Sequence, residues 1–348
     1  MKTMMETTMN KMNEEKSEAV DTRYMQRALT LAANGAGSVS PNPMVGAVIT
    51  ARGRIIGEGW HRRFGEGHAE VNAVASVSHD DLPLLKEATI YVTLEPCSHY
   101  GKTPPCARLL IEKGLKRVVV GSPDPNPLVA GRGVKMLREA GIEVVEEVMR
   151  EECDALNRRF LTAQRLRRPW IQLKWAQSAD GFMGLSDDNG KPAPARYSTP
   201  LTTVGMHRER AMADAILAGT GTLLSDNPSL TIRRWPGRNP LRISFNSPHL
   251  PVDCRIMTDD NYLLLPTDAP LAETMQKLFS ENGVSSLMVE GGAETLRRFI
   301  EAGLYDEIRR ETAPLIQTRG VKAPRIPDGM TLTESAKHDG NIIEVWRR

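Results

Sequence analysis

The stretch that decides the first half of this fold is Gly67-His68-Ala69-Glu70, which is followed by Glu95-Pro96-Cys97 and then by Cys106. It provides an imidazole, two thiols and a carboxylate, in the order His, Glu, Pro-Cys, Cys. A zinc ion held by three protein ligands keeps its fourth position open for water, and a carboxylate that is not a ligand can carry protons beside it. The pattern therefore predicts a catalytic zinc site.

The order H-x-E…P-C-x-x-C is typical of zinc-dependent nucleobase deaminases. This chain departs from it in the spacing of its cysteines, because eight residues separate Cys97 from Cys106. We expect His68, Cys97 and Cys106 to bind the metal, and we expect Glu70 to move protons without binding it.

The elements predicted around the cysteines support this site. Residues 88–94 are β-branched and apolar, which predicts a buried strand that ends just before Cys97. Thr103-Pro104 supplies a candidate N-cap and first helical residue, so Cys106 is expected in the first turn of a helix. The positive end of the helix dipole favours a thiolate there. A second helix is predicted over 68–77, beginning at the metal-binding histidine.

The composition limits the class of protein. The chain has 348 residues, a net charge of +2, and 40% hydrophobic and 25% charged residues, which predicts two globular domains and no strong field for nucleic acid. No apolar run reaches the roughly 20 residues that span a bilayer. Residues 1–20 lack the apolar core of a secretion signal and are predicted to be a disordered tail. The four cysteines do not form a disulfide framework in so long a chain, so a cytoplasmic protein is expected.

Alternating helix and strand signals predict an α/β protein with two domains, a zinc domain over 21–165 and a second domain over 169–348. In the first domain we predict helices over 21–33, 68–77, 133–140 and 151–168, and strands over 44–50, 54–58, 88–94, 117–121 and 142–145. In the second we predict strands over 170–176, 213–219, 241–245 and 286–290, helices over 200–212, 271–281 and 295–302, and scattered strand signals over 307–348.

Two glycine-rich turns in the second domain follow apolar strands, at Ala218-Gly-Thr-Gly-Thr222 and at Glu290-Gly-Gly-Ala-Glu-Thr295. Backbone N–H groups at such turns can bind phosphate, although turns of this kind are common without a ligand. Neither turn is the G-x-G-x-x-G fingerprint of a Rossmann domain. Asp226 and Arg233 lie close in sequence, and a guanidinium suits a phosphate partner.

Both halves together resemble the bifunctional deaminase/reductase of riboflavin biosynthesis, over residues 21–348. The deaminase-like motifs are Pro41-Asn-Pro-Met-Val-Gly46, His68-Ala-Glu70, residues 95–106 with the eight-residue spacing of that family, and Asp124-Pro-Asn-Pro-Leu-Val-Ala-Gly-Arg-Gly133. The reductase-like motifs are Lys174-Trp-Ala-Gln-Ser-Ala-Asp-Gly181, Gly219-Thr-Gly-Thr222, Asp226-Asn-Pro and Val289-Glu-Gly-Gly292.

The resemblance implies a cytidine-deaminase-like three-layer α/β/α domain followed by a dihydrofolate-reductase-like α/β domain. It implies zinc-dependent hydrolytic deamination of 2,5-diamino-6-(5-phosphoribosylamino)pyrimidin-4-one. NADPH would then reduce the ribosyl group and give 5-amino-6-(5-phosphoribitylamino)uracil. The partner would be this small molecule, with no nucleic acid and no membrane, and a homo-oligomer is compatible with the sequence.

The resemblance also implies site residues. The deaminase substrate would contact Asn42, His61, Lys102, Asp124 and Asn126. The reductase substrate would contact Ala195, Arg210, Leu230, Arg233 and Glu290. NADPH would contact Ala176, Tyr197, Thr222, Asp226, Ser247, Gly292, Ala293, Glu294, Thr295, Leu296, Arg297 and Arg298. Lys174 and Asp226 are the candidates for polar catalysis of reduction. The chain departs from the family at Ala195-Arg196-Tyr197, where the family has Ser-x-Trp, and Ala195 cannot supply a hydroxyl. The run from Lys174 to Gln177 also differs from the smaller residues usual there.

Three alternatives remain from the sequence. A nucleic-acid deaminase is disfavoured by the near-neutral charge. A non-catalytic zinc-stabilised module would need a fourth ligand such as His61 or His99, and would have no need of Glu70. Finally, one of the two activities alone could survive, and the departures at Ala195 and Tyr197 make the reductase the weaker half.

Overall fold

The computed structural model describes residues 18–99, 104–126, 130–186, 192–193, 195–250 and 253–348. The chain divides into two compact units, Met1–Arg165 and Leu166–Arg348. The predicted contact of Lys102, the predicted cap at Thr103 and most of the predicted tail lie outside the described residues. None of the helices in the described ranges is long and apolar enough to cross a membrane.

The first unit is built on a five-stranded sheet in the order β2-β1-β3-β4-β5. Its strands are β1 (Gly46–Ala51), β2 (Arg54–Trp60), β3 (Thr89–Leu94), β4 (Arg117–Ser122) and β5 (Glu143–Val145). β1 runs antiparallel to β2 and β3, while β3, β4 and β5 are parallel. The predicted strands are confirmed, with ends that move by one or two residues.

Helices cover both faces of this sheet. They are α1 (residues 18–32), α2 (Ala69–Ala75), α3 (Cys106–Glu112), α4 (Arg132–Glu139), α5 (Arg150–Leu156) and α6 (Arg158–Leu166). Because successive side chains of a strand point to opposite faces, Ile90 and Val92 pack with α2, α3 and α4, while Tyr91 packs with α1 and α5. The expected three-layer α/β/α arrangement is confirmed, and burial on both faces explains why β3 reads as one apolar run.

Two predicted helices of the first unit were wrong in detail. The single helix expected over 151–168 is interrupted at Asn157, whose side chain leaves the helix pattern to bond the backbone N–H and C=O of Met44, both at 2.8 Å. The helix expected from Pro104 begins at Cys106, after the extended Pro105. The N–H of Cys106 donates to the Cys97 sulfur at 3.3 Å.

The second unit has an eight-stranded sheet in the order β11-β10-β9-β12-β6-β13-β16-β15 and a small sheet in the order β14-β7-β8. The strands are β6 (Trp170–Ser178), β7 (Phe182–Ser186), β8 (Pro192–Ala193), β9 (Ala215–Leu217), β10 (Leu241–Phe245), β11 (Tyr262–Leu265), β12 (Ser286–Val289), β13 (Glu307–Ala313), β14 (Val321–Lys322), β15 (Thr331–His338) and β16 (Asn341–Arg347). The helices are α7 (Pro200–Ala211), α8 (Thr220–Asp226), α9 (Leu271–Ser280) and α10 (Ala293–Glu301). The expected α/β class is confirmed.

The sequence did not predict α8, and it made β9 too long. The strand predicted over 213–219 ends at Leu217, and Gly219 is already the N-cap of α8. Leu223 of α8 is fully buried beside Ile216 and Met288, which explains why this short segment is helical. The small strands β7, β8 and β11 were also missed, and β14 lies in the segment 307–348, for which only scattered strand signals were predicted.

The order of strands places a topological switch point between β9 and β12. These two neighbours are parallel, but the chain continues from β9 to β10 on one side and from β12 to β13 on the other. In open α/β sheets, ligands bind at such a switch point, outside the carboxyl ends of the strands. Both glycine-rich turns predicted from the sequence lie there.

Candidate active sites

The predicted deaminase residues gather at one edge of the five-stranded sheet. Because β1 is antiparallel to its neighbours, the start of β1 lies beside the ends of β2 and β3. Asn42 precedes β1, His61 follows β2, Cys97 follows β3, and Asp124 follows β4. Strand register therefore brings together four residues that are far apart in the sequence.

The three predicted metal ligands form a tight group, since their ligand atoms all lie within 4.8 Å of one another. His68 is the N-cap residue of α2, and its Nδ1 lies 3.3 Å from the sulfur of Cys106 and 3.6 Å from that of Cys97. Their positions are set by the start of α2, the end of β3 and the start of α3. An imidazole and two thiols at these distances match the donor set that zinc prefers.

The electrostatics of this group favour a cation. Hydrogen bonding from the Cys106 thiol, together with the His68 imidazole, lowers the pKa of Cys97 to about 4 in spite of burial. The same contact with Cys97, together with burial, raises the pKa of Cys106. Hydrogen bonding to Cys97 raises the pKa of His68 to about 8. Cys97 is therefore a thiolate that attracts a cation, and a divalent metal at this position would favour the thiolate form of Cys106 as well.

Glu70 lies beside this group without belonging to it. It sits in the first turn of α2 with only 3% of its surface exposed. Burial, followed by the charge of Cys97, raises the pKa of Glu70 to about 7, although His68 acts in the opposite direction. A carboxyl group with this pKa can both accept and donate a proton near neutral pH, as a proton carrier must.

His61 does not supply a fourth ligand. Its Nδ1 donates to the carbonyl of Gly67 at 3.1 Å, and its Nε2 lies 3.1 Å from the side-chain amide nitrogen of Asn42, from which it accepts. Burial is the main reason that the pKa of His61 is lowered. Its ring meets that of His68 edge-on, with 5.6 Å between centroids. His61 is therefore a neutral imidazole that is held in place beside the cluster.

Asp124 and Asn126 form a small turn at the carboxyl end of β4. The Asp124 carboxylate accepts from the backbone N–H of Asn126 at 2.8 Å. Burial, with a contribution from the charge of Glu95, raises the pKa of Asp124 to about 6. No sequence pattern predicted a role for Glu95, whose buried carboxylate accepts a hydrogen bond from the backbone N–H of Asp124.

In the second unit, the predicted polar residues are held in internal pairs. Arg210, near the end of α7, donates to both carboxylate oxygens of Glu290 at 2.8 and 2.7 Å, and to the carbonyl of Thr231 at 3.1 Å. Burial alone would raise the pKa of Glu290, but Arg210 lowers it to about 2. Lys174 is buried on β6 with its Nζ 3.4 Å from the Met206 sulfur, and burial lowers its pKa.

Arg233 is held in place by a residue that sequence reasoning missed. The Nδ1 of buried His207 accepts from the backbone N–H of Arg233 at 3.1 Å, while the Arg233 guanidinium donates to the hydroxyls of Ser229 and Thr231. The signal was present, since His207 lies one helical turn before Arg210 on α7. Leu230 is buried in the apolar core beneath this loop.

Glu311 is a second buried carboxylate that was missed. It lies on β13 opposite Ala176 and accepts from Ser198 at 2.8 Å and from Asn341 at 2.6 Å. Tyr197 is buried nearby, with its hydroxyl on Gln317 and its carbonyl accepting from Asn341 at 2.9 Å. Ala195, two residues before it, is partly buried.

The glycine-rich turns lie against each other at the switch point. A Cβ built on Gly291 would come within 2.8 Å of the Gly219 nitrogen, and one on Gly219 would meet the Thr295 hydroxyl at 2.0 Å. A Cβ on Gly292 would lie 3.2 Å from the Thr222 hydroxyl, whereas one on Gly221 would meet nothing within 4 Å. The two turns are therefore packed so closely that only glycine fits at Gly219 and Gly291, whereas Gly221 is exposed.

The other predicted cofactor contacts are spread more widely. Ala293 and Leu296 are buried in the body of the unit, while Glu294 and Arg297 are exposed and pair with each other at 2.7 Å. The Arg298 guanidinium lies over the ring of Phe245, which is two residues before Ser247 in the sequence. Asp226 ends α8 with an exposed side chain that accepts from Ser225 at 2.5 Å.

Comparison with known proteins identifies both halves. A family model described as the cytidine and deoxycytidylate deaminase zinc-binding region matches residues 18–122, and one described as the RibD C-terminal domain matches residues 169–338. The riboflavin biosynthesis protein RibD of Actinobacillus pleuropneumoniae is 38% identical over 346 residues, which cover 91% of this chain and 90% of that protein.

Solved structures agree over nearly the whole chain. Acinetobacter baumannii RibD, form 1, has a TM-score of 0.86 at 30% identity, with 95% of this chain and 99% of that chain covered. A diaminohydroxyphosphoribosylaminopyrimidine deaminase/5-amino-6-(5-phosphoribosylamino)uracil reductase of Thermotoga maritima has a TM-score of 0.84 at 33% identity, with the same coverage. The chain therefore belongs to the RibD family of riboflavin biosynthesis enzymes, in which a deaminase and a reductase share one polypeptide.

Proposed function

We propose that this enzyme deaminates 2,5-diamino-6-(5-phosphoribosylamino)pyrimidin-4-one and then reduces the product to 5-amino-6-(5-phosphoribitylamino)uracil. The observation that carries the proposal is the buried Glu70 carboxyl beside the His68, Cys97 and Cys106 group. A structural zinc site has no use for such a carboxyl, whereas hydrolysis of an amine requires a group that carries protons.

In the first unit, His68, Cys97 and Cys106 would hold one zinc ion per chain. Zinc supplies a Lewis acid that activates water for hydrolysis. Glu70 would take a proton from the attacking water and deliver it to the leaving amine, since its pKa of about 7 suits both transfers. Its burial excludes competing solvent protons.

The pyrimidine would be oriented by the residues at the edge of the same sheet. Asn42 and the neutral His61 present amide and imidazole atoms to ring polar groups, and their mutual bond at 3.1 Å limits their movement. Asp124 and Asn126 would contact the sugar from the end of β4. Lys102 is proposed for the phosphate.

In the second unit, NADPH would bind at the crevice between β9 and β12 and would supply the hydride. Thr222, Ser247 and the residues from Gly292 to Arg298 would contact it, with Ala176, Tyr197 and Asp226. The sugar of the substrate would lie toward Lys174, a buried amine that can give a proton to a developing alkoxide. The Arg210–Glu290 pair and Arg233 would position the substrate. Leu230 and Ala195 would lie beside them.

Further proposals follow from the same picture. We propose residues 21–165 and 169–348 as the two catalytic domains. The partner is a small molecule and neither nucleic acid nor a membrane, because the net charge of +2 gives no strong basic field. A cytoplasmic location is proposed from the free thiols, which suit a reducing compartment. Absence of binding to heparin or RNA at low salt would support the partner assignment.

A coupled assay tests the whole proposal. The diaminopyrimidine phosphate is given to the purified full chain with zinc and NADPH, and ammonia release and NADPH oxidation are followed separately. We expect ammonia without NADPH, and NADPH oxidation only after deamination. Release of no ammonia by zinc-loaded protein contradicts the deaminase assignment. Failure to oxidise NADPH when given the deaminated compound contradicts the reductase assignment.

A further inference from the structure

Glu95 holds a buried carboxylate that the chemistry described above does not use. It follows β3 and is only 4% exposed. Four backbone N–H groups donate to it: those of Gly131 and Gly133 at 3.0 Å, of Val134 at 3.3 Å and of Asp124 at 3.4 Å. Such an arrangement suits a carboxylate, which only accepts, and does not suit an amide, half of which donates.

The four donors come from both ends of one loop. Asp124 leaves the end of β4, and Gly131, Gly133 and Val134 form the first turn of α4. The same Glu95 oxygen that receives the Asp124 N–H also receives that of Gly131. One side chain therefore closes the base of the loop that carries the proposed substrate contacts Asp124 and Asn126.

Glu95 also joins this loop to the metal cluster. It lies two residues before Cys97, and its own N–H donates to the carbonyl of Ser122 at 2.9 Å. A Cβ on Gly133 would come within 2.0 Å of the Pro96 carbonyl, so α4 begins directly against the peptide that leads to Cys97. Glu95 and Pro96 thus connect the loop that carries the proposed substrate contacts to the proposed metal ligand Cys97.

We propose that Glu95 is a positioning residue for deamination, whose carboxylate sets the place of the Asp124 loop relative to the zinc ligand Cys97. This inference rests on the proposed deaminase function. Glu95 reaches the substrate only through the loop. Its loss should therefore weaken substrate binding more than the chemical step, and it should leave the metal in place.

The test is the substitution Glu95→Gln in the full zinc-loaded chain. The amide keeps the size of the side chain, but turns a donor toward one pair of N–H groups. We expect KM for the diaminopyrimidine phosphate to rise roughly 10-fold or more, the cost of losing charge-assisted hydrogen bonds. We expect kcat to stay close to wild type, zinc to stay at one per chain, and NADPH-dependent reduction of the deaminated substrate to be unchanged.

A matched control is Glu139→Gln on α4, the helix whose first turn donates to Glu95. The Glu139 side chain is exposed and its carboxylate lies 3.8 Å from the Lys135 amine. This variant should keep the wild-type KM. If Glu95→Gln does not fold, Glu95→Asp decides by the same criteria, because it keeps the charge but is too short to reach both ends of the loop.

Two results overturn the inference: an unchanged KM in the folded Glu95 variant, or a loss of zinc with a fall in kcat at constant KM. Neither is confused with failure of the proposed function, because a wild-type chain that releases no ammonia contradicts that function before any variant is compared.

Discussion

The two candidate sites differ in the kind of contacts that their polar side chains make. In the first unit, the ligand atoms of an imidazole and two thiols lie within 4.8 Å of one another, an arrangement that can hold a metal ion. In the second unit, the buried Arg210 and Glu290 already form a two-point ion pair. The first group has the donor set of a metal site, whereas the second is already a pair of protein side chains.

This contrast explains why the residues of the first site indicate their ligand more directly than the residues of the second site do. An imidazole and two thiols this close together indicate a metal by their own chemistry. A group that has a partner is equally consistent with stability and with binding. Experiments should therefore separate the sites: the first should respond to removal of an ion, the second to removal of one half of a pair.

The largest effect is expected when the metal is removed from the first unit. Cys106→Ala, or treatment with a chelator, should abolish ammonia release, because two ligands do not retain zinc. Reduction of the deaminated compound should persist, and zinc should restore ammonia release to the chelated protein. Metal content and both activities are measured together. The control is Cys254→Ala, which removes a thiol of the second unit. This variant should still contain one zinc ion per chain. Loss of reduction together with zinc would show that the sites are not independent.

The next effect concerns stability and tests the pair in the second unit. Glu290→Gln leaves Arg210 buried opposite a neutral side chain, which should lower the free energy of unfolding by about 3–5 kcal/mol. Glu334→Gln is the control: it removes an exposed partner of Arg347, which keeps Glu307 at 2.8 Å, so the cost should stay below about 1 kcal/mol. Equal costs in urea unfolding would contradict the contrast between the two sites.

The pKa of Glu290 predicts how the stability difference between wild type and Glu290→Gln changes with pH. The pKa of Glu290 is lowered to about 2 in the folded protein, so its stabilising contribution is present above the ordinary glutamate pKa. That contribution is lost as the pH falls through about 4.5 toward about 2. The difference in stability between wild type and Glu290→Gln should therefore shrink in acid, and a difference that stays constant down to pH about 3 would be inconsistent with this ion pair.

Glu70→Gln should reduce ammonia release by roughly 10²-fold or more, since the amide has the same size but cannot carry a proton. Zinc content should remain at one per chain, and reduction should be unaffected. The matched control is Glu87→Gln, an exposed glutamate in a surface ion pair with Arg52. Near-normal ammonia release by the Glu70 variant would remove this residue from the mechanism.

The smallest effect is expected at Arg233, where the second site meets its ligand. Arg233→Ala should weaken binding of the ribosylamino substrate by roughly 10- to 150-fold, the range for one charge-assisted contact, with little change in NADPH affinity. Arg233→Lys should restore binding only in part, because a point charge does not reproduce two parallel bonds. The neighbouring exposed Arg234→Ala is the control. Loss of NADPH binding alone would reverse our placement of the two ligands.

The sequence by itself determined the α/β class, most strands and helices, and the metal group. These follow from local signals: apolar runs such as 88–94, and ligand types whose order limits the chemistry to few classes. It also placed both glycine-rich turns after strands. The identity of the predicted zinc ligands needed no knowledge of packing, because an imidazole and two thiols are rare in such an order without a metal.

Only the tertiary structure decided how distant residues act together. Asn157 interrupts a predicted helix because it bonds Met44, which lies 113 residues away in sequence. Glu95 joins Asp124 to the start of α4, and His207 holds Arg233 across 26 positions. The parallel pairing of β9 with β12 brings two turns that are far apart in the sequence to the same end of the sheet. A hydrogen bond between side chain and backbone leaves no periodic trace in the sequence, so such contacts are visible only once the chain is folded.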